Sequence, residues 1–570
     1  MNETRARGDQ LRAAGRAGAE HGTRPGPVLA PREPRLPDHP AVDRQPRRWP
    51  YALWTLGLVV LFCLHFPHLL ADFPNHSPWM DYAKYTDEGW YGNAAIRYTL
   101  TGHWYLHGDF NPAVALPVCP LLLAGVFHFT GVSLAADRSL ALVFFGLDLL
   151  LAYCVVRTQA ERRVALLAVT LLATSPILWA FSRLAILEAP LVCFVLLSWL
   201  LALRLPRTPA RWQTLTLAGI GLLLFATILT KTTAIFLIPS TLFLVARAWT
   251  PRRTAVRALG ICAAAAALPW CAYYFLAVRP RYRVDYHYLF EANHWPQPTT
   301  FTGWLGAFWW ALHGCLWISP ALCTVAAAVL LLALRRETGP ALVVTAAEPR
   351  PVPPGLYSSP LTFASLLAIA GYMGFIGWHN SPQPRYYEVV IYPVCFILSL
   401  GIADLLSRRR AAYLRICGAT GLAAVVAVSA GGVFRIAAYL RHPEYTFLNA
   451  ARGVARYIDA HPGPHRLLLS VSGDNIELIT GLPAICDDYG TWDLPYRMHQ
   501  YGPGWYAAWN DIDPGTLSDI QSLDALQPVA SFSAFDDPDR NVLVLYRLNP
   551  LPPAQQTYFI EGELRDNGGR

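Results

Sequence analysis

Residues 51–70 read YALWTLGLVVLFCLHFPHLL, without a single Asp, Glu, Lys or Arg. At about 1.5 Å per residue, such a run spans the roughly 30 Å apolar core of a bilayer as a helix. Shortly beyond it stands Tyr85-Thr86-Asp87-Glu88-Gly89-Trp90-Tyr91, with two adjacent carboxylates where the chain should leave the bilayer on the side away from the cytoplasm. The 570 residues are 54% hydrophobic and only 15% charged, with mean hydropathy +0.30. Soluble domains carry about a quarter charged residues. A chain this poor in charge has no need of acids there for solubility, so the position points to chemistry at a membrane surface.

Other apolar runs are expected to span at about 134–156, 164–181, 186–204, 214–230, 232–248, 257–278, 304–334, 359–378, 386–406 and 413–434. With the first run they make roughly eleven spans. Arginines mark alternate turns: Arg157/Arg162/Arg163, Arg204/Arg207/Arg211, Arg247/Arg252/Arg253/Arg257, Arg335/Arg336 and Arg408/Arg409/Arg410/Arg415. The positive-inside rule makes these turns cytoplasmic and fixes the N-terminus inside. The loop at 279–303, with Arg279, Arg281 and Arg283, is the exception. The net charge of +8 therefore reads as a set of topology signals, with no nucleic acid as partner. The 11 cysteines lie mostly in apolar runs and form no CxxC or Cys/His pattern, as expected of buried thiols.

The expected domains are a disordered cytoplasmic tail over 1–48, a transmembrane domain over 49–436, an extracytoplasmic α/β domain over 437–550 and a flexible tail over 551–570. Residues 1–48 are rich in Arg, Ala, Gly and Pro. The long first loop, about 71–133, holds a candidate interfacial helix at 88–100 and a short apolar segment at 117–129 suited to a re-entrant or juxtamembrane helix. Beyond residue 436 the pattern gives an amphipathic helix at 445–460, a strand at 465–471, a helix at 475–480 and strands at 529–535 and 541–548. The fold class is a mainly α polytopic membrane protein with a small C-terminal α/β domain.

This topology gathers Asp87, Glu88, Arg183, Glu188, Lys231 and Arg385 on the outer face. Ionisable residues near membrane depth are functional candidates by default, and each also has an ordinary reading. Asp87 and Glu88 suit the first turn of a helix as well as proton abstraction. Arg183 and Glu188 suit an ion pair across a tight turn. Lys231, among Thr230, Thr232 and Thr233, suits either snorkelling or a phosphate. Arg385-Tyr386-Tyr387 suits interfacial anchoring or a clamp on a phosphate leaving group. His103, His107 and Asp109 are a weak metal candidate. Asp487-Asp488, near Trp492-Asp493, reads as a loop of the outer domain.

The run Thr86–Tyr91, then Thr101-Gly102-His103-Trp104 and Pro120–Leu122, resembles the first outer loop of the C-type polytopic glycosyltransferases. The branch it resembles contains the protein O-mannosyltransferases and the lipid A aminoarabinose transferase. Ser182-Arg183…Glu188, Leu229-Thr230-Lys231 and Arg385-Tyr386…Pro393 also fall where that family places polar residues, so the resemblance covers about 50–435. It implies that Asp87 is the catalytic base, with Glu88 in a supporting part. Arg183, Lys231 and Arg385 would contact the phosphate of a polyprenyl-phosphate sugar donor, supported by Glu188, Tyr386 and Tyr387. The segment Pro112–Pro117 lacks the Lys-Pro-Pro of many members, and the Trp-Trp-Asp of oligosaccharyltransferases is absent.

The expected reaction is a single displacement onto a lipid, glycan or protein hydroxyl outside the cytoplasm, in a bacterial inner membrane. A monophosphate leaving group requires no cofactor, and a divalent metal is the open option. The rival reading is a transporter or flippase for a lipid-linked or small polar substrate. It predicts charges deep in the spans and internal symmetry.

Overall fold

The computed structural model describes residues 49–249, 252–289, 296–335, 355–408, 411–463 and 465–557. The expected tail at 1–48, and the end of the chain beyond residue 557, lie outside these. The chain divides into two units, Met1–Pro50 and Tyr51–Arg570, and the second carries the architecture that follows.

The helices in chain order are α1 Trp49–Cys63, α2 Asp87–Thr101, α3 Val118–Thr130, α4 Leu134–Arg157, α5 Arg162–Ala173, α6 Pro176–Phe181 and α7 Glu188–Arg204. Then come α8 Ala210–Ile228, α9 Ile238–Arg247, α10 Arg252–Tyr273, the short α11 Arg279–Arg281 and α12 Arg283–His287, α13 Phe301–Gly314 and α14 Pro320–Ala333. After them stand α15 Pro360–His379, α16 Tyr387–Ser407, α17 Ala412–Arg441, α18 Thr446–Ala460, α19 Gly473–Thr480, α20 Leu494–Tyr501 and α21 Pro514–Gln521. Helix α16 is the hub of the bundle. Val389 to Ile402 is buried without a break, as its all-round apolar sequence requires.

Among the described residues, seven helices are long and apolar enough to cross a membrane, which makes this a multi-pass membrane protein. The other four expected spans are short, broken or bent. Helix α1 has 15 residues. The run at 164–181 breaks at Pro176, where Ser175 caps the new helix, and the run at 232–248 opens as a 3-10 turn, Thr232–Phe236, before α9. The expected single span at 304–334 is two helices at 109°. Pro320 has no N–H to continue the ladder, and Ser319 caps the amide of Leu322 instead.

After α17 the chain builds a five-stranded mixed sheet in the order β2-β1-β3-β5-β4. Its strands are β1 Leu468–Leu469, β2 Ala484–Ile485, β3 Trp505–Trp509, β4 Asp524–Ser533 and β5 Val542–Pro550. Strand β1 is parallel to β2 and β3, and the β3–β5 and β5–β4 pairs are antiparallel. Trp505, Ala507 and Trp509 face Phe447, Val454 and Ile458 of α18, while Tyr506 and Ala508 face Met498 of α20 and Ile520 of α21. That is the period-2 alternation of a strand covered on both faces. Because every residue of β3 is buried, it shows no polar alternation and is invisible to a pattern search.

This sheet module is sewn to the first long loop. Gly108, at φ 87°, accepts from the amides of Thr491 (3.0 Å) and Trp492 (3.1 Å), and Asp109 bridges Gly490 in β fashion. The Asp109 carboxylate accepts from Arg97 at 2.6 Å and from Arg497 at 3.1 Å. Arg97 also reaches Asp474 of α19 at 3.2 Å.

Candidate active site

The site is built from chain breaks, where side chains are freed from the helix lattice. Asp81 caps a 3-10 turn, Tyr82–Lys84, by accepting from the amide of Ala83 at 2.9 Å. The chain then enters α2 with Asp87 and Glu88 in the first turn, where the helix dipole favours negative charge. Lys231 sits in the break between α8 and the Thr232–Phe236 turn, and Arg385 in the 3-10 turn Pro384–Tyr386 that opens α16.

These three breaks wall one cavity of about 540 Å³. Asp87, Tyr91, Lys231, Arg385 and Tyr386 line it from the bundle side, and Asp488, Tyr489 and Arg540 from the sheet module. Asp87 is 7% exposed. Its Oδ1 accepts from the Thr86 hydroxyl at 3.0 Å, while Oδ2 lies 3.3 Å from the Arg385 guanidinium without a directed hydrogen bond. Arg385 is held in turn by Asp81, which takes both its guanidinium and its amide. Lys231 pairs with the buried Glu188 and lies 5.3 Å from the Tyr386 ring centroid.

The expected site residues therefore separate. Asp87, Lys231, Arg385 and Tyr386 share the cavity. Glu188 braces Lys231 from behind it. Glu88 turns away: both of its oxygens accept from Arg138 at 2.7 Å, and Oε1 also accepts from the amide of Ala185. Arg183 lines a second cavity of about 250 Å³, where it donates to the carbonyls of Pro67 and His68 and lies over Trp179. Arg183 and Glu188 thus form no pair across their turn. Tyr387 is buried and donates to the Ala311 carbonyl at 2.6 Å. Asp109 is committed to two arginines, and no group of three or more His, Cys, Asp or Glu converges as a metal site among the described residues.

Asp81, Tyr489 and Arg540 were not among the expected site residues, and Asp488, expected as no more than an outer-domain loop acid, lines the cavity. Asp81 carried a faint signal, lying in the same loop as Asp87. The other three come from the sheet module, and only the folded chain brings them to the bundle.

Burial, then the nearby negative Asp87, pushes the Tyr91 phenol well above its ordinary value. It remains a hydroxyl donor beside the carboxylate. Burial raises Tyr489 in the same way, with Asp488 adding to it. At the module contact, burial pushes Asp474 up to about 6 and Glu477 up to about 8, against the pull of Arg97.

Residues 112–274 match the family model of dolichyl-phosphate-mannose-protein mannosyltransferases. That segment is similar to the PMT-like glycosyltransferases. The solved structure of ArnT from Cupriavidus metallidurans bound to undecaprenyl phosphate is similar in fold, with a TM-score of 0.55 at 14% identity over 88% of this chain and 98% of that one. Its apo form gives a TM-score of 0.56 at 13% identity, over 87% and 98%. The apo oligosaccharyltransferase of Archaeoglobus fulgidus is a looser match, with a TM-score of 0.49 at 11% identity over 87% and 75%. No curated protein matches. The segment match supports a glycosyltransferase, and the solved structures show a likeness of fold.

Proposed function

We propose that this glycosyltransferase moves a sugar from a polyprenyl-phosphate lipid to an acceptor hydroxyl on the extracytoplasmic side of the membrane. The observation that carries the reading is the convergence of Asp87, Lys231 and Arg385 on one cavity between the bundle and the sheet module. The undecaprenyl phosphate held by the similarly folded ArnT supports a lipid donor of this class. The arginine-rich turns support the orientation.

In the proposed reaction, Asp87 Oδ2 accepts the proton of the acceptor hydroxyl. The acceptor oxygen bonds to the anomeric carbon as the bond from that carbon to the phosphate oxygen breaks. The electron pair leaves on the phosphate, where Lys231 and Arg385 offset the developing charge. One displacement inverts the anomeric configuration. Arg385 then has two tasks, orienting Asp87 and facing the leaving group. Glu88 and Arg183, pointing elsewhere, act in this reading by holding the loop that carries Asp87.

Mass analysis of envelope lipids, glycans and proteins from cells with and without the intact gene tests the function. Loss of one sugar modification, restored by the wild-type chain, is expected. An unchanged glycan profile together with lost substrate movement would favour the transporter reading.

A further inference from the structure

The positive charges facing the cavity are unequally matched. Lys231 is already paired with Glu188, and Arg385 with Asp81 and Asp87. Arg540, on the turn between β4 and β5, differs. Its guanidinium lies over the rings of Tyr82 (4.6 Å) and Tyr85 (4.7 Å), and among the described residues it makes no ion pair and donates no side-chain hydrogen bond. Of the acids beside it in Asp536-Asp537-Pro538-Asp539-Arg540, Asp536 and Asp537 are directed elsewhere. Asp537 takes the Tyr85 hydroxyl on one oxygen and the amide of Asp539 on the other. Asp536 faces His76 at 3.1 Å.

Aromatic faces hold a guanidinium in place without consuming its five N–H donors, whereas a paired cation must loosen a carboxylate before it can bind an anion. Among the described residues, the cavity thus presents one pre-positioned cation whose donors are uncommitted. We infer that Arg540 is a donor-phosphate ligand contributed by the sheet module, so that the phosphate bridges the module to the bundle at Lys231. The inference rests on the proposed function, because the donor phosphate is the one anion which that reaction obliges the cavity to hold. The bond is a charge-assisted contact of the Arg–phosphate type, and it breaks no covalent bond.

The test uses the full-length protein in nanodiscs, with undecaprenyl phosphate as probe and undecaprenol as its phosphate-free counterpart. Arg540→Ala is expected to weaken undecaprenyl phosphate binding about tenfold, with undecaprenol unchanged and Arg540→Lys recovering part of the loss. Should Arg540→Ala fail to fold, Arg540→Gln supplies the same comparison. Unchanged undecaprenyl phosphate affinity in a folded Arg540 variant overturns the inference, and so does an equal loss for undecaprenol. Sugar transfer by the wild type alongside unchanged affinity in the variant would sink Arg540 alone. Phosphate-dependent binding without transfer would sink the enzyme reading instead.

Discussion

Asp87 and Glu88 are neighbours in the sequence and part company in the fold because successive residues on a helix point about 100° apart. One meets the cavity and Arg385, and the other meets Arg138, which also binds the carbonyls of Leu69 and Ala71. The two substitutions should therefore fail in different ways. Asp87→Asn keeps the shape and removes the proton acceptor, so kcat should fall about 10²–10⁴-fold while thermal unfolding is little changed. Glu88→Gln leaves a buried arginine half-paired, and loss of about 3–5 kcal/mol of stability is expected, read as a lower unfolding temperature or poor yield. The sequence shows that both positions carry charge next to a membrane. It does not show which side of the helix meets the cavity, and for the same reason Arg183 reads like Lys231 until the fold sends it to another pocket.

At the scale of elements, the contact that positions Asp87 is the crossing of α2 over the start of α19. A Cβ built on Gly89 would stand 2.1 Å from the Asp474 carbonyl carbon, so only glycine permits this approach. Gly89→Ala should cost at least about 1–3 kcal/mol in module docking, detectable as faster proteolysis of the C-terminal module. Alongside the crossing, Arg97 and Arg497 face three carboxylates, those of Asp109, Asp474 and Glu477. Glu477 is raised from 4.5 to about 8 in the fold, so between these values the folded protein keeps a proton that the unfolded chain releases. Stability should therefore fall as pH rises from about 5 to 8 and level off above, since the folded state binds more protons across that window. Glu477→Gln should flatten this dependence when unfolding is followed from pH 5 to 9.

Helix α18 was legible from its helical period, and β5 from its short apolar, β-branched run Val542–Tyr546. Helices α20 and α21 and strand β3 were not. The first two have eight residues each, and the last has no exposed side chain. Period analysis has nothing to hold in either case.

For the whole molecule, charge scarcity and apolar run length were enough to read a polytopic membrane protein, and prolines decided where runs that looked like spans break or bend. What the linear order concealed was the return of the C-terminal module onto the first loop, which closes the cavity with residues some four hundred positions from Asp87. That closure has a consequence for the cavity's two halves. Loosening the module through Asp109→Asn, which unpairs Arg497 and leaves Arg97 with Asp474 alone, should raise donor KM and lower kcat together. Substituting Lys231 with Ala should act chiefly through the donor.

The proposed role of Asp87 as the base in lipid-linked sugar transfer is tested most directly by reconstituting wild-type protein and Asp87→Asn in proteoliposomes with a polyprenyl-phosphate sugar and following sugar appearance on the acceptor identified from the envelope. Donor-dependent transfer by the wild type is expected, with a rate at least about 10²-fold lower for a folded Asp87→Asn. Near-normal transfer by that variant would contradict that role.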